Sequence, residues 1–183
     1  MALPSWYGDE EPADHRTARL TTITEAIFDV SRAATCADDE VQDCERIWVG
    51  RSSELSFLLL AQAYFETRLA LHIHEGKCRS HLGECDSGKA IGLWQLQSGA
   101  HLPRERWQTL SGTDLEATTR AAHEAARALS RGRNYCRSVA GAISLYATGR
   151  TCRWPEAKTR LSLVQKWEQD FRLAQASASP PKD

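Results

Sequence analysis

No apolar stretch in this sequence is long enough to cross a membrane. The longest uninterrupted run, Phe57 to Ala61, falls far short of the roughly 20 residues that a bilayer-spanning helix needs. The sequence also lacks an excess of one charge, since its formal net charge is −1. A surface that binds nucleic-acid phosphates usually carries a clear basic excess. These two absences predict a chain with neither a membrane span nor a nucleic-acid partner.

A secretory signal peptide is missing as well. The first residues, MALPSWYGDEEPADH, contain neither its basic segment nor its apolar core. We therefore expect either that the chain stays inside the cell or that its targeting segment has been removed. The cysteines favour the second alternative, because an even number of cysteines in a small domain is typical of disulfide-bonded proteins in oxidising compartments.

The six cysteines form three pairs of neighbours in the sequence. Sequence alone leaves many pairings open, and we expect the neighbours to pair. The predicted disulfides are Cys36–Cys44, Cys78–Cys85 and Cys136–Cys152. Each would stabilise the fold by about 2–4 kcal/mol, and by less where the closed loop is short.

Hydrophobic periodicity predicts helices over most of the chain. They span about 17–34, 52–74, 113–129, 138–146 and 155–173. Thr113 and Glu116 form a capping-box pattern for the third helix, and Gly132 is its expected stop. No internal repeat and no alternating pattern for a large sheet is present.

The predicted architecture is therefore a single, mostly α domain. It is divided into a polar N-terminal arm 1–16, a helical extension 17–50, a main domain 51–174 and a disordered tail 175–183.

Glu66 lies late in the second predicted helix, SSELSFLLLAQAYFETRLALHIHEG, which is apolar on nearly all sides. A carboxyl group there has two explanations. The first is a structural ion pair, for example with an arginine from another helix. The second is a general acid, because an apolar environment favours the protonated form, which can give its proton to a leaving oxygen. The helix by itself favours neither explanation.

Three motifs follow in order along the chain: Glu66 in LAQAYFETRL, Gly92 to Gln95 in DSGKAIGLWQ, and Tyr146 to Gly149 in AISLYATG. Over about residues 52–170 they resemble the lysozyme-like superfamily, specifically its soluble lytic transglycosylases and goose-type lysozymes. That group has E-S near a helix end, a G-L-M-Q turn and an A-Y-N-A-G motif. This sequence departs from the pattern at Thr67, at Trp94, and at Ala147 and Thr148.

The resemblance implies an α+β lysozyme-like fold with a small β or irregular loop region beside the active-site cleft. It also implies cleavage of the β-1,4 bond between N-acetylmuramic acid and N-acetylglucosamine in peptidoglycan, with Glu66 as general acid. Asp86 matches the D-x-G of the goose-type branch and is the candidate base for hydrolysis. Gln97 stands where that branch usually has aspartate, so lytic transglycosylation, with Glu66 alone as acid and then base, remains the alternative.

The other predicted site residues come from the same motifs. A glycine at position 92 would let the backbone approach a sugar, and Gln95 offers a donor and an acceptor to an acetamido group. Gln97 is expected at the substrate as well. Tyr146, by the resemblance, would face Glu66 and touch the substrate, and Trp94 is a candidate for stacking on a sugar ring, although a single tryptophan is more often part of a core.

A zinc site is the competing interpretation of the segment that follows Glu66. Its candidate ligands are His72, His74, Cys78, His81 and Cys85. An H-x-H pair on a helix separates its imidazoles by about 200°, and no C-x-x-C or H-E-x-x-H spacing is present. We therefore predict no metal, no other cofactor, and exposed histidines at a helix end.

Two non-enzymatic classes remain open. One is a lysozyme-like module that has lost catalysis and binds sugar, and the other is a disulfide-stapled helical interaction protein or inhibitor. The enzyme hypothesis expects a monomer that acts on peptidoglycan glycan strands. It also expects a location in the cell envelope, outside the cell, or in a phage particle or lysis system.

Overall fold

The computed structural model describes residues 11–36, 44–77, 89–99 and 102–178 of the chain. Within these residues it contains seven helices and a two-stranded antiparallel sheet. The elements are α1 (Ala13–Thr35), α2 (Ser52–Thr67), α3 (Leu71–His74), β1 (Ala90–Ile91), β2 (Leu96–Gln97), α4 (Arg104–Trp107), α5 (Leu115–Cys136), α6 (Val139–Thr148) and α7 (Glu156–Ala178). None of the described helices is long and apolar enough to cross a membrane. The prediction of a mostly α fold with a small β region is confirmed.

Two helices, α2 and α5, form the interior of this fold. The α5 helix packs against both α1 and α6, while α2 packs against α1, α5 and α7. From α2, Leu55, Leu58 and Leu59 are fully buried, whereas α5 contributes mainly alanines to the core. Large side chains on one helix and small ones on the other let the neighbouring helices approach closely.

The α5 helix continues through Gly132, where the sequence predicted a stop, and ends only at Cys136. Its cap is Asp114 and not Thr113, because the Asp114 carboxylate accepts the Ala117 N–H at 2.8 Å. A Cβ atom on Gly132 would lie 3.1 Å from Cα of Ala142 in α6. The close packing of α5 on α6 therefore explains the glycine and overrides its usual role as a helix stop.

Two predicted helix ends were also wrong. The α1 helix begins at Ala13, so the end of the predicted arm 1–16 is helical, and Pro12 stands at the N-cap, where its missing N–H is not needed. The α7 helix continues past 173 to Ala178, so the start of the predicted tail 175–183 is helical as well. The α7 extension is rich in alanine, the strongest helix former, and both extensions lack the apolar period on which the prediction relied.

Two of the three predicted disulfides are present. Cys36–Cys44 closes the segment after α1, and Cys136–Cys152 joins the end of α5 to the segment between α6 and α7. The second bond ties together the helices that flank the candidate site described below. The predicted pair Cys78–Cys85 lies outside the described residues.

A buried arginine connects α1 to the chain just after α2. Arg19 is 7% exposed and makes two hydrogen bonds to the Glu11 carboxylate, at 2.7 and 2.8 Å. Its Nη1 donates to the carbonyl of Leu69 at 3.0 Å. Because burial removes the hydration of both charges, these contacts are needed to offset the loss. The N-terminal helix thereby supports the segment next to Glu66.

His74 is buried, although the sequence predicted an exposed histidine at a helix end. Its Nε2 lies 3.0 Å from Oγ1 of Thr118. The Thr118 hydroxyl proton is donated to the carbonyl of Asp114 at 2.7 Å, so Nε2 carries the proton and Nδ1 is the bare nitrogen. Nδ1 has no hydrogen-bond partner among the described residues. Burial, reinforced by the charge of Arg19, lowers the pKa of His74 from 6.5 to about 3.

This pKa shift predicts a pH dependence of stability. Between about pH 3 and pH 6.5 the unfolded chain binds a proton at His74 that the folded chain does not, so stability is lost as the pH falls. From pH 7 to pH 5 the free energy of unfolding should decrease by about 2 kcal/mol through this group. Urea titrations of wild type and His74→Gln at both pH values measure it. An equal decrease in the two proteins would contradict the assignment to His74.

Candidate active site

Glu66 occupies the last turn of α2, and the helix stops immediately after it. Arg68 and Leu69 both adopt positive φ angles, 54° and 59°, which are uncommon for residues other than glycine. The chain then resumes as α3, so the predicted single helix 52–74 is broken. The apolar residues after the break therefore do not surround Glu66 in the way that a continuous helix would arrange them.

Thr67 organises this break. Its Oγ1 donates to the carbonyl of Ala63 at 2.8 Å and accepts the N–H of Leu69 at 3.2 Å. The same hydroxyl lies 3.3 Å from the carbonyl of Leu93, in the loop between β1 and β2. One threonine side chain thus ends the helix and attaches the G-L-W-Q turn to it.

The G-L-W-Q turn, residues 92–95, connects β1 to β2 in register Ala90↔Gln97 and Ile91↔Leu96. Trp94 is fully buried, and its indole N–H donates to the carbonyl of Leu59 in α2 at 2.9 Å. A ring in that position packs in the core, so the prediction that Trp94 stacks on sugar was wrong. The buried indole, together with Thr67, holds the turn against the C-terminal half of α2.

Gly92 also has a role different from the predicted one. Its φ is +67°, and a Cβ atom there would lie 2.5 Å from the carbonyl oxygen of Leu110. The close approach that requires glycine is therefore to the protein backbone and not to a sugar. Gln95, which has a φ of 47°, closes the turn through its N–H and its side-chain amide, both donating to the Gly92 carbonyl at 3.0 Å.

Tyr146 joins the third motif to the other two. It lies on α6, which the Ser138 cap and the left-handed Gly149 bound, and its hydroxyl donates to the carbonyl of Trp94 at 2.6 Å. Burial raises the pKa of Tyr146 well above 10, the negative charge of Glu66 raises it further, and Arg160 acts against this. Tyr146 and Glu66 are therefore close enough to influence each other, as the resemblance implied.

Arg160 is the partner of Glu66, a role that none of the sequence motifs indicated. Nη1 of Arg160 lies 2.7 Å from Oε1 of Glu66 and 3.2 Å from Oε1 of Gln62, one turn earlier on α2. The guanidinium stacks on Phe65 and Trp154, 4.7 and 4.8 Å from their ring centres. The structure thus contains the ion pair that the sequence left open as one of two explanations.

The periodicity of α7 places Arg160 on the inward face of the helix. Its inward positions include Ala157, Val164 and Glu168, and Arg160 falls at helical spacing from them. A charged residue at such a position requires a partner inside the fold. Nothing local to α7 indicates which carboxylate that partner is, because Glu66 lies far away in the sequence.

The Glu66–Arg160 pair is partly open to solvent. The side chain of Glu66 is 21% exposed and that of Arg160 is 15% exposed. The carboxyl group therefore has a charged partner and is not in the apolar environment that was predicted.

A groove of about 780 Å³ lies beside this cluster. Its walls come from β2 and the following turn, from one face of α5, and from the C-terminal half of α6. The predicted residues Gln95, Gln97 and Tyr146 line it, whereas Glu66, Gly92 and Trp94 do not. Tyr146 is thus the residue shared by the groove and the surroundings of Glu66.

Two further predictions cannot be located in this geometry. Asp86 lies outside the described residues, as do Cys78, His81 and Cys85 of the alternative zinc interpretation. Among the residues that the structure describes, no group of three or more histidine, cysteine and acidic side chains is arranged to hold a metal ion.

Comparison with known proteins found no relative of this chain. No family model, no curated protein and no solved structure matches it.

The contact between Gly92 and Leu110 gives a stability prediction. Gly92→Ala combines an unfavourable φ with a steric clash, and should lower the free energy of unfolding by about 2–4 kcal/mol. Gly99→Ala is the matched control, since a Cβ atom at Gly99 meets nothing within 4 Å, and should change it by less than about 0.5 kcal/mol. Denaturant titrations compare the two. Equal stability of both variants would contradict the close approach at Gly92.

Proposed function

We propose that the protein is a peptidoglycan-cleaving glycosidase that cuts the β-1,4 bond between N-acetylmuramic acid and N-acetylglucosamine. The observation that carries this proposal is the convergence of three motifs. Glu66 at the end of α2, the turn 92–95 and Tyr146 on α6 are far apart in the sequence, yet they are linked through Thr67, Leu93 and the carbonyl of Trp94. Positive φ angles at Arg68, Leu69 and Gln95 lie in the same cluster, where backbone strain is a recurring feature of functional sites.

In this mechanism protonated Glu66 gives its proton to the bridging oxygen while the bond from that oxygen to C1 of the muramyl sugar breaks. The released N-acetylglucosamine carries the new 4-hydroxyl group, and an oxocarbenium-like centre develops at C1. In hydrolysis, water attacks C1 and gives its proton to a base, for which Asp86 is the candidate. In lytic transglycosylation, the muramyl 6-hydroxyl attacks C1 and returns a proton to Glu66.

Arg160 has a definable part in either route. It is held by Gln62 and by the rings of Phe65 and Trp154, so it remains in place when Glu66 is protonated and the ion pair is open. As Glu66 loses its proton in the transition state, the carboxylate that forms is next to a fixed cation. The cation stabilises the state in which Glu66 has acted as an acid.

The same ion pair favours a second candidate function. A carboxylate engaged by arginine at 2.7 Å must break this contact before it can approach a glycosidic oxygen, and an intact pair would suit a lysozyme-like module that binds glycan without cutting it. The two functions differ in one result, because a binding module retains glycan affinity and releases no muropeptides from cell walls.

The cellular setting follows from the substrate. We propose that the protein acts as a monomer on glycan strands in the cell envelope, outside the cell, or in a phage particle or lysis system. The disulfides Cys36–Cys44 and Cys136–Cys152 suit such an oxidising compartment. The chemistry requires no cofactor.

Glu66→Gln tests the proposed chemistry. The amide keeps the shape of the side chain but has no proton to give, so the release of muropeptides from purified walls should fall by about 10²–10⁴-fold. Glu168→Gln is the matched control. Glu168 is likewise held by arginines, here Arg51 and Arg172, but it lies beside the start of α2 and not at the cluster of Thr67, the turn 92–95 and Tyr146, so the variant should lose stability and keep its rate. No release by wild type, or equal rates for wild type and Glu66→Gln, would rule out catalysis by Glu66.

The masses of the released muropeptides distinguish the two routes. Hydrolysis with Asp86 as base leaves reducing ends, whereas transglycosylation leaves anhydro ends that are one water lighter. We expect reducing ends from wild type, and Asp86→Asn should reduce their yield. Anhydro ends from wild type would replace the hydrolase proposal with the transglycosylase one.

A further inference from the structure

The groove beside Glu66 contains one charged side chain, Arg131, that forms no ion pair with the described residues. Of the four arginines on α5, Arg120 pairs with Glu116, Arg127 with Glu45, and Arg133 with Glu54. The fourth, Arg131, is exposed, lines the groove, and makes no hydrogen bond or ion pair with the residues that the structure describes. The other charged group in the groove lining, Glu124, is buried and paired with Arg106.

An exposed aromatic ring lies next to this cation. Tyr135 is 76% exposed, the highest value for an aromatic residue in the described part of the chain, and it also lines the groove. Arg131 and Tyr135 are four residues apart on α5 and are therefore neighbours on one helix face. Between them and α6 the groove floor is formed by small residues, Ala128 and Gly132, which leave room for a ligand.

The remaining polar lining is uncharged. Gln95 and Gln97 contribute amides from the hairpin, and Thr148 contributes a hydroxyl from α6. Amides and hydroxyls suit acetamido and hydroxyl groups of amino sugars, and an exposed tyrosine ring suits the face of a sugar. A single unpaired guanidinium suits an isolated carboxylate, and it is insufficient for the closely spaced phosphates of a nucleic acid.

We propose that Arg131 and Tyr135 form a subsite that recognises a carboxylate-bearing amino sugar, with Arg131 binding the carboxylate and Tyr135 the sugar face. This inference rests on the proposed function and specifies its substrate. It predicts a preference for glycans that contain muramic acid over chitin, which has the same β-1,4 backbone without a carboxylate. The carboxylate belongs either to the free lactyl group or to a peptide stem attached there.

Binding to the Glu66→Gln protein, measured by calorimetry at low salt, tests the subsite without cleavage. The ligands are chitotetraose, a peptide-free N-acetylglucosamine–N-acetylmuramic acid tetrasaccharide, and the same tetrasaccharide with peptide stems. At least one of the two acidic ligands should bind about tenfold more tightly than chitotetraose. Tighter binding of the peptide-free ligand identifies the lactyl carboxylate, and tighter binding of the stem-bearing ligand identifies a peptide carboxylate.

Four variants, each added to Glu66→Gln, assign that preference. Arg131→Gln should abolish it and leave chitotetraose affinity unchanged, while Arg131→Lys should keep most of it, because the charge remains. Arg120→Gln removes the same charge from the same helix outside the groove and should have no effect. Tyr135→Ala should weaken all three ligands by several-fold.

The failures of the two proposals are distinguishable. If Arg131→Gln retains the full preference, or if no acidic ligand is preferred, the subsite is wrong even when wild type cleaves walls. If the preference depends on Arg131 but wild type releases no muropeptides, the subsite stands and the cleavage proposal fails.

Discussion

The break at the end of α2 is the constraint on which the candidate site depends. Two successive residues with positive φ, Arg68 and Leu69, stop the helix about two turns before the predicted end at 74. Such backbone is maintained only when its surroundings fix it, and here Thr67 and Arg19 do so by hydrogen bonds to the N–H and the carbonyl of Leu69. The break leaves Glu66 at a helix end and brings the 92–95 turn alongside Glu66. The hydrogen bond from Tyr146 to the carbonyl of Trp94 in this turn therefore depends on the break as well.

The Glu66–Arg160 pair determines what chemistry this arrangement can support. In a fully apolar pocket the carboxyl group would have no charged partner, whereas in this structure a guanidinium lies 2.7 Å from it. Both side chains retain some solvent contact, so the attraction is weaker than between fully buried charges. Arg160 is held on its other sides by two aromatic rings and an amide, and Glu66 therefore has the greater freedom to leave the pair when a substrate approaches.

Much of the fold was accessible from periodicity and turn chemistry. The main helices and the pairing of cysteines close in sequence were predicted because each rests on a local signal, an apolar period or a short loop. The small β region and the proximity of Tyr146 to Glu66 were instead implied by the resemblance, through the order of the motifs.

The parts that were wrong depend on distant contacts. No glycine or proline marks the break after Thr67 in the sequence. The break is held instead by hydrogen bonds from α1 and from the β1–β2 loop. Gly132 has the appearance of a helix stop, and only the approach of α6 explains its position inside α5. Whether Trp94 contacts sugar or core, and which carboxylate Arg160 binds, is likewise decided by elements that the chain brings together from far away.

The central claim is that Glu66 lies at the bond that is cleaved. Its most direct test is a crystal structure of Glu66→Gln with a bound N-acetylglucosamine–N-acetylmuramic acid tetrasaccharide. A sugar chain should pass Tyr146, with one glycosidic oxygen within about 3 Å of the side-chain amide at position 66 and the contact to Arg160 opened. A saccharide bound only in the groove, with every glycosidic oxygen remote from position 66 and the contact to Arg160 intact, would contradict it.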